Sequence, residues 1–132
     1  GFLDFTLIPF SAPNTEISRQ NPRRKLGPDL QDILKLVAVS RIFFSRAIKN
    51  VQLKWSSVGL DTSLRSLSVG VNDIGGTIYD AGLIALAPNG EHAKTPHDLE
   101  KSISRTGRVA RRRDSYYNPV ATKRRKASAR KG

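Results

Sequence analysis

Asn, Asp and Thr side chains beside paired glycines form the stretch of this chain with the clearest chemical potential. Residues 67–80, LSVGVNDIGGTIYD, pass from a short apolar run to Asn72 and Asp73, then to two glycines and Thr77. Polar groups at the end of a buried strand, followed by glycines, are typical of a backbone that passes close to a ligand. The alternative is a tight strand-to-helix turn in which Asn72 and Asp73 hydrogen-bond the amides of that turn.

The elements that must position these residues alternate between strand and helix. Bulky residues and period-two alternation predict strands over Phe2–Phe10, where Pro9 ends the strand, over Asn50–Ser57 and over Val69–Asp73. Apolar residues at helical spacing predict one helix from Pro28 to about Arg46. Spacers of helix length between the strands predict parallel neighbours that are joined by right-handed crossovers.

Local signals refine the two intervening helices. Pro28 is expected at the first helical position, and Leu36, Val39 and Phe43 widen the apolar face so that much of the first helix is buried. Asp61 is expected to cap the second helix, which is predicted over residues 62–68. Residues 11–26 are polar, contain two prolines and are predicted to form a loop.

The C-terminal part of the chain is expected to contain two more helices and a tail. Residues 78–87 are compatible with a weak helix, and Thr95 with Asp98 forms a capping box that starts a helix running to about Arg105. Residues 121–132 contain only Lys, Arg, Ala, Ser, Thr and Gly, so they are expected to be disordered. The division predicted from these signals is a folded portion, 1–120, and a basic tail, 121–132.

Parallel topology brings the candidate residues to one edge of the sheet. In parallel α/β units the strand-to-helix loops open at the same end, and that end carries the chemistry. Asn14 follows the first predicted strand, Ser56 follows the second, and Asn72, Asp73 and Thr77 follow the third. We therefore expect polar groups from all three loops to share one rim.

Charge is distributed unevenly along the 132 residues. The net charge is +12, but residues 104–132 hold 11 Lys and Arg against Asp114 alone, whereas residues 1–103 are nearly neutral. Such a basic run permits non-specific, salt-sensitive binding of nucleic acid through phosphates. A nucleic-acid-binding protein is therefore one alternative function, although no recognised binding motif accompanies the run. A non-catalytic remnant with an open sheet edge is another.

Composition bounds the remaining possibilities. The absence of cysteine excludes disulfides, thiolate metal sites and cysteine-held iron–sulfur clusters within this chain. Neither a secretory signal pattern nor an apolar run long enough to cross a bilayer is present, so a cytoplasmic location without membrane contact is expected. The sequence also lacks the glycine-rich phosphate loop, the dinucleotide fingerprint and the serine-centred elbow of hydrolases.

A series of short motifs resembles one enzyme family. The series includes IPF with PNT near the start, VAVSR in the first long helix, VQ followed by Trp55, GVNDIGGT, and finally GRV with RD and YN. In this order and spacing it resembles, from about residue 2 to 120, the C-terminal part of a radical S-adenosylmethionine family. That family includes FO synthase of deazaflavin biosynthesis and the aminofutalosine synthase and dehypoxanthine futalosine cyclase of menaquinone biosynthesis.

The resemblance implies a fold, cofactors and a site. The fold would be α/β, comprising the last three strand–helix repeats of a TIM-type barrel. Asn14, Gln52, Asn72, Asp73 and Thr77 would bind a small-molecule substrate at the end of the barrel. Trp55 would either stack on a substrate ring or pack in the core, and we favour the core.

The resemblance also implies parts that this chain does not carry. S-adenosylmethionine and a 4Fe-4S cluster would act in the whole enzyme, and the cluster-binding Cys-x3-Cys-x2-Cys motif belongs to an N-terminal half of the barrel that is the expected partner. Within the family, Gln52 and the GGT motif resemble FO synthase, which joins its substrates by a carbon–carbon bond. RD and YN near the C-terminus resemble aminofutalosine synthase instead, so both activities remain open.

Overall fold

Two short parallel strands lie at the centre of the computed structural model, which describes residues 1–77 and 94–120. Strand β1, Asp4–Leu7, pairs with β2, Asn50–Leu53, in a register that places Thr6 opposite Gln52. The connection between the strands contains a long helix, as a parallel crossover requires. The expected α/β class with parallel neighbours is therefore confirmed, whereas three complete barrel repeats are not seen in the described residues.

Five α-helices surround the pair of strands in the described part of the chain. They are α1, Glu16–Gln20; α2, Leu30–Phe44; α3, Trp55–Val58; α4, Leu60–Ser66; and α5, Pro96–Arg105. The predicted helices α2 and α5 are confirmed. Both were predictable because their ends carry strong capping signals. Thr95 and Asp98 exchange the two hydrogen bonds of a capping box at the start of α5.

The predicted third strand is largely absent. Val69 ends a 3-10 turn, Leu67–Val69, and Gly70 then reverses the backbone with a φ of 124°. Only an isolated parallel bridge between Gln52 and Asp73 remains, supported by hydrogen bonds from the amides of Leu53 and Trp55 to this segment. The segment from 71 to 74 thus follows β2 as a third strand would, but it is too short for a regular ladder.

Other boundaries differ from the predictions for local reasons. The predicted loop 11–26 contains α1, whose N-cap is Thr15, and the second predicted strand ends at Leu53 because helix α3 begins at Trp55. Asp29 is the N-cap of α2, so Pro28 lies before the helix rather than at its predicted first position, and Asp61 pairs with Arg65 instead of capping α4. The weak helix predicted at 78–87 and the tail 121–132 lie outside the described residues.

The hydrophobic core lies between one face of the sheet and the helices. It contains Val51, Leu53, Trp55 and Val37, each no more than 1% exposed. Helix α2 buries only a narrow stripe against this core, so the prediction that much of it is buried is wrong. Its second apolar face is open to solvent, with exposures from 50% to 79% at Leu36, Val39, Ile42 and Phe43.

Candidate functional site

The opposite face of the sheet carries a polar network. Because paired residues of neighbouring strands point to the same side, Thr6, Gln52 and Asp73 lie in a row. The Thr6 hydroxyl lies 3.1 Å from Gln52 Oε1 and 3.2 Å from Asp4 Oδ2, and Gln52 Nε2 donates to Asp73 Oδ1 at 3.0 Å. Side chains from three successive segments therefore meet at one place, but of the predicted rim only Asp73 belongs to this network.

Asp73 is the most highly connected acid of this network. Its Oδ1 atom accepts from Gln52 and, at 2.7 Å, from the backbone amide of Gly75. Its Oδ2 atom accepts from Arg113 Nε, and only 10% of the Asp73 side chain remains exposed. A buried carboxylate needs such partners, since an unpaired charge would lose its hydration without compensation.

Arg113 and Tyr117 bring the C-terminal part of the chain to the sheet. The guanidinium of Arg113 lies 4.1 Å from the centroid of the Tyr117 ring, and the Tyr117 hydroxyl donates to Asp4 Oδ2 at 2.8 Å. Burial and this hydrogen bond to Asp4 raise the pKa of Tyr117 well above that of a free phenol. Burial opposes the charge of Arg113, but the Asp73 carboxylate outweighs it and the pKa of Arg113 is raised.

A tight turn over residues 112–120 presents these two side chains. The Asp114 carboxylate accepts hydrogen bonds from the amides of Tyr116 and Asn118, and Asp114 and Asn118 also pair through their backbones. The amide of Val120 donates to the carbonyl of Arg112 at 2.9 Å, which closes the turn. An Asp side chain that accepts from amides two and four residues ahead organises such a turn from local sequence.

The other predicted site residues have different surroundings. Asn72 Oδ1 accepts from the amide of Val51 at 2.8 Å and from Arg41 of α2 at 2.9 Å, so its side chain points away from the Asp73 network. Trp55 is buried in the core, and its indole N–H donates to the carbonyl of Gly76 at 3.0 Å. Asn14 is exposed in the turn before α1, at a φ of 62°.

Both interpretations of the glycine stretch find support in its local contacts. The hydrogen bond from Gly75 to Asp73 is the turn-capping contact of the simpler alternative. At the same time, Gly75, with a φ of 84°, and the indole of Trp55 hold the loop where it borders a cleft. A side chain at Gly75 would meet Lys54 at 3.3 Å and would be strained at this φ.

A cleft of about 620 Å³ lies along the segment 71–77. Helix α5 and residues 108–113 form its other sides, and Tyr117 and Thr77 also border it. The volume is within the range of small-molecule sites, which is roughly 300–1,000 Å³. Its described walls combine apolar side chains with the ion pair of Asp73 and Arg113, at 10% and 29% exposure respectively.

Sequence reasoning missed four members of the network as site residues: Asp4, Thr6, Arg113 and Tyr117. Asp4 and Thr6 alternate with bulky residues in the first strand, so their shared face was a usable signal. Arg113 lies in a run of three arginines and is 40 residues from Asp73, and its signal was the RD motif of the family resemblance rather than a local pattern. Only the turn at 112–120 distinguishes Arg113 from its neighbours.

The residues present do not fit an iron–sulfur cluster. The chain has no cysteine, and no group of three or more His, Asp or Glu side chains that could hold a metal ion occurs in residues 1–77 and 94–120. Cluster ligands must therefore come from outside this chain. What the described site can do is to offer hydrogen bonds, a paired charge and apolar walls to a small molecule.

Fold and site together define a parallel α/β unit whose polar sheet face and adjoining cleft suit substrate binding. The chain belongs to the family described as the CofH/MqnC C-terminal region, whose model matches residues 1–126. This match confirms the resemblance to the FO synthase group of enzymes.

Individual relatives agree with the family model. The chain is 34% identical over 119 residues to the 5-amino-6-(D-ribitylamino)uracil–L-tyrosine 4-hydroxyphenyl transferase of Synechococcus elongatus, covering 89% of this chain and 31% of the relative. It is 31% identical over 121 residues to the enzyme of that name from Methanothermobacter thermautotrophicus, with coverages of 91% and 33%. The chain thus spans about a third of the length of these relatives. No solved structure matches it significantly.

The family match also bears on the nucleic-acid alternative. The family match extends through residue 126 and includes part of the basic tail, and it lends no support to nucleic-acid binding. In the described parts of the chain, none of the helices has both the length and the apolar character needed to span a membrane.

Proposed function

We propose that this chain forms the substrate-facing C-terminal portion of a radical S-adenosylmethionine enzyme of FO biosynthesis. The whole enzyme would transfer the 4-hydroxyphenyl group of L-tyrosine to 5-amino-6-(D-ribitylamino)uracil and form a carbon–carbon bond. The observation that carries this proposal is the family match over residues 1–126, together with relatives named for that transfer. A cytoplasmic location is part of the proposal.

The division of labour follows from the composition of the chain. The missing N-terminal portion would hold the 4Fe-4S cluster and S-adenosylmethionine, since this chain has no cysteine. When bound, the cluster and S-adenosylmethionine supply radical chemistry. The residues of this chain bind and orient the substrates and exclude water from them.

Gln52, Asp73 and Thr77 are the residues that we assign to direct substrate contact. Gln52 and Asp73 are hydrogen-bonded to each other, so their remaining lone pairs have fixed directions. Thr77 borders the cleft beside the paired glycines. Amide and carboxylate groups of this kind match the donor and acceptor pattern of a uracil edge.

The other predicted residues take supporting parts in this proposal. Trp55 and Asn72 position the glycine loop and the start of β2 through hydrogen bonds to Gly76 and Val51. Asn14 is assigned a contact with substrate from the loop that follows β1. Its exposure leaves its side chain accessible to a ligand or to the N-terminal portion.

A chimeric enzyme tests the proposal directly. Residues 1–132 would replace the matching C-terminal third of the Synechococcus elongatus relative, and the product formed from L-tyrosine and 5-amino-6-(D-ribitylamino)uracil would be measured by mass spectrometry. We expect condensed product from the chimera and none from the N-terminal portion alone. A chimera that is folded and loaded with its cluster but forms no product would overturn the proposal.

A second candidate activity, that of the menaquinone enzymes of the family, is favoured by two observations. Arg113 and Tyr117, the residues that resemble aminofutalosine synthase, belong to the Asp73 network. The matching family model also includes MqnC in its description. If the chimera fails with the uracil substrate, the corresponding chimera built on an aminofutalosine synthase or cyclase would have to produce its menaquinone precursor.

A further inference from the structure

We propose that Arg113 is the binding residue for the carboxylate of an α-amino acid substrate, whose side chain occupies the cleft beside segment 71–77. This inference rests on the proposed function, because L-tyrosine is the amino acid named for the relatives. Neither the glycine stretch nor the strand pattern indicates Arg113 as a binding residue.

The hydrogen bonds of Arg113 leave one end of its guanidinium available. Nε donates to Asp73 Oδ2, and Nη1 donates to the carbonyl of Asp114 at 3.0 Å. Within residues 1–77 and 94–120, Nη2 has no hydrogen-bond partner, so both of its N–H donors are available there. A guanidinium with donors in a fixed plane is well suited to a carboxylate, whose two oxygens lie in one plane.

The orientation of the guanidinium is fixed before any ligand arrives. Asp73 holds Nε from one side, and the ring of Tyr117 lies 4.1 Å from the guanidinium carbon. The Tyr117 hydroxyl is itself held by Asp4. A donor that is already oriented loses little conformational entropy on binding, and this raises the affinity for the correct ligand.

The neighbouring cations are arranged differently. Arg112 uses both Nε and Nη2 on the carboxylate of Glu100, at 2.5 and 3.2 Å. Arg112 therefore directs Nε and Nη2 to Glu100 beside α5 and keeps Nη1, whereas Arg113 directs Nε to Asp73 at the polar sheet face and keeps Nη2. Arg113 is also partly buried, with 29% of its side chain exposed, so its charge is screened less by solvent than that of a surface arginine.

The walls of the cleft match the rest of an aromatic amino acid. Val71, Ile74, Leu99 and Ile103 supply apolar surface on two sides, and Leu99 and Ile74 are nearly buried. A hydroxyphenyl ring would cover this surface, while the carboxylate reaches Arg113 at the polar end. The volume of about 620 Å³ is sufficient for such a molecule.

Ligand analogues and variants of the chimera test the assignment. Binding of L-tyrosine, and of tyramine, which lacks the carboxylate, would be measured by equilibrium dialysis, so that no turnover is needed. We expect the unaltered chimera to bind L-tyrosine about 10- to 100-fold more tightly than tyramine, the range for a hydrogen bond to a charged group. Arg113→Gln should abolish this preference because it weakens the binding of L-tyrosine and leaves that of tyramine unchanged.

Two controls separate a binding role from a structural one. Arg105→Gln removes an exposed positive charge at the end of α5 and should leave the preference for L-tyrosine unchanged. The double variant Asp73→Asn with Arg113→Gln keeps a neutral hydrogen-bonded pair in case the single variant fails to fold. It should lose the preference as well. The assignment would be overturned if the Arg113 variants weakened the binding of L-tyrosine and tyramine equally, or weakened the binding of neither.

The remaining outcomes are equally decisive. An unaltered chimera that binds no L-tyrosine, or binds it no better than tyramine, would overturn the role of Arg113. A chimera that shows the carboxylate preference but forms no condensed product would overturn the proposed transfer and leave the amino acid site standing. A chimera that forms product, and whose KM for L-tyrosine is unaffected by Arg113→Gln, would overturn the role of Arg113 and leave the proposed transfer standing.

Discussion

Asp73 is the residue on which the candidate site depends most. It connects the middle of β2, the glycine loop and the C-terminal turn through Gln52, Gly75 and Arg113. Three donors on one carboxylate also explain why the charge is tolerated at 10% exposure. A change at this single position therefore alters contacts in three parts of the chain.

Asp73→Asn should lower transfer activity in the chimera without preventing assembly. The amide of Asn retains one acceptor oxygen, but its NH₂ group must face Gln52, Gly75 or Arg113. Because all three of these partners are donors, at least one of them loses its acceptor. We expect a loss of about 1–3 kcal/mol of transition-state stabilisation, the cost of an unsatisfied buried group. This corresponds to a decrease of roughly 5- to 150-fold in kcat/KM. The control is Asp61→Asn, whose ion pair with Arg65 is on the surface. Equal effects of the two changes would contradict the assigned role.

Tyr117 gives the site a pH dependence. Its pKa is raised above the ordinary value of 10.0 because burial and the hydrogen bond to Asp4 favour the neutral phenol. The resulting contribution to stability is complete below about pH 10 and is lost as the pH rises towards the folded-state pKa. A titration of phenolate absorbance should show one tyrosine that ionises later than a free phenol. Tyr117→Phe should remove this late step, and its persistence in the variant would be the contrary result.

At the scale of elements, Arg41 ties α2 to the sheet. Its guanidinium donates to the carbonyls of Gly70 and Lys49, at 2.7 and 2.8 Å, and to Asn72 Oδ1. Gly70 allows this close approach because it has no side chain and a φ of 124°. A Cβ there would lie 2.7 Å from the Cβ of Arg41.

Gly70→Ala should consequently destabilise the segment that leads to Asp73. Backbone strain at such a φ costs about 1–3 kcal/mol, and the contact with Arg41 adds to it. Hydrogen exchange of the Leu53 and Trp55 amides, which bond to this segment, should become faster in the chimera. Gly76→Ala is the matched control, since a Cβ at Gly76 would meet nothing within 4 Å. Comparable effects of both substitutions would show that the clash with Arg41 is unimportant.

Helix α5 depends on its N-terminal capping box. Thr95→Ala should cost about 1 kcal/mol of helix stability because it removes the acceptor for the Asp98 amide. Hydrogen bonds from the Thr95 hydroxyl and amide hold the pKa of Asp98 below its ordinary value of 3.8, so the stability that the ionised carboxylate contributes is present above about pH 3.8 and is lost as the pH falls below it. Amide exchange along Pro96–Arg105 measures the effect. Ser102→Ala, a change in the middle of the helix, should leave exchange at its N-terminus unaltered.

At the scale of the whole molecule, the described structure exposes apolar surface that a larger protein would cover. Phe43 and Ile42 are 79% and 78% exposed on α2, and Phe2 and Ile8 are 82% and 70% exposed on either side of β1. Exposed apolar side chains of this size, when they adjoin one another as Ile42 and Phe43 do along α2, are typical of an interaction surface. In the proposed enzyme this surface would contact the N-terminal portion, and β1 would pair with a further strand.

Backbone amide exchange compared between the isolated chain and the chimera tests that arrangement. Amides of Asp4–Leu7 and the exposed face of α2 should be better protected in the chimera, whereas the amides of Val51 and Leu53 should change less. Replacing Val39 and Phe43 by serine should weaken assembly with a separately expressed N-terminal portion. The paired control replaces the exposed Ser68 and Ser104 by alanine. Strong protection of the β1 amides in the isolated chain would contradict this arrangement, because β1 would then be stable without pairing with a further strand.

The amino-acid sequence alone determined the class of the fold and most of the elements. Local signals act over a few residues, so the capping box of α5, the long helix α2 and the alternation of β2 could be recognised without tertiary contacts. The resemblance to the family also followed from short motifs in order. Asp73 was predicted as a site residue from its place at the end of a strand beside the paired glycines, and Gln52 was predicted from the resemblance alone.

Tertiary structure decided the features that depend on distant partners. The third segment remains a single bridge because Val69 belongs to a 3-10 turn and leaves only a few extended residues, and helix α2 exposes its second apolar face because the described core contacts only one. The ion pair of Asp73 with Arg113 joins residues 40 positions apart. No local pattern encodes such a pairing, because which arginine of a basic run becomes buried is set by the turn that presents it.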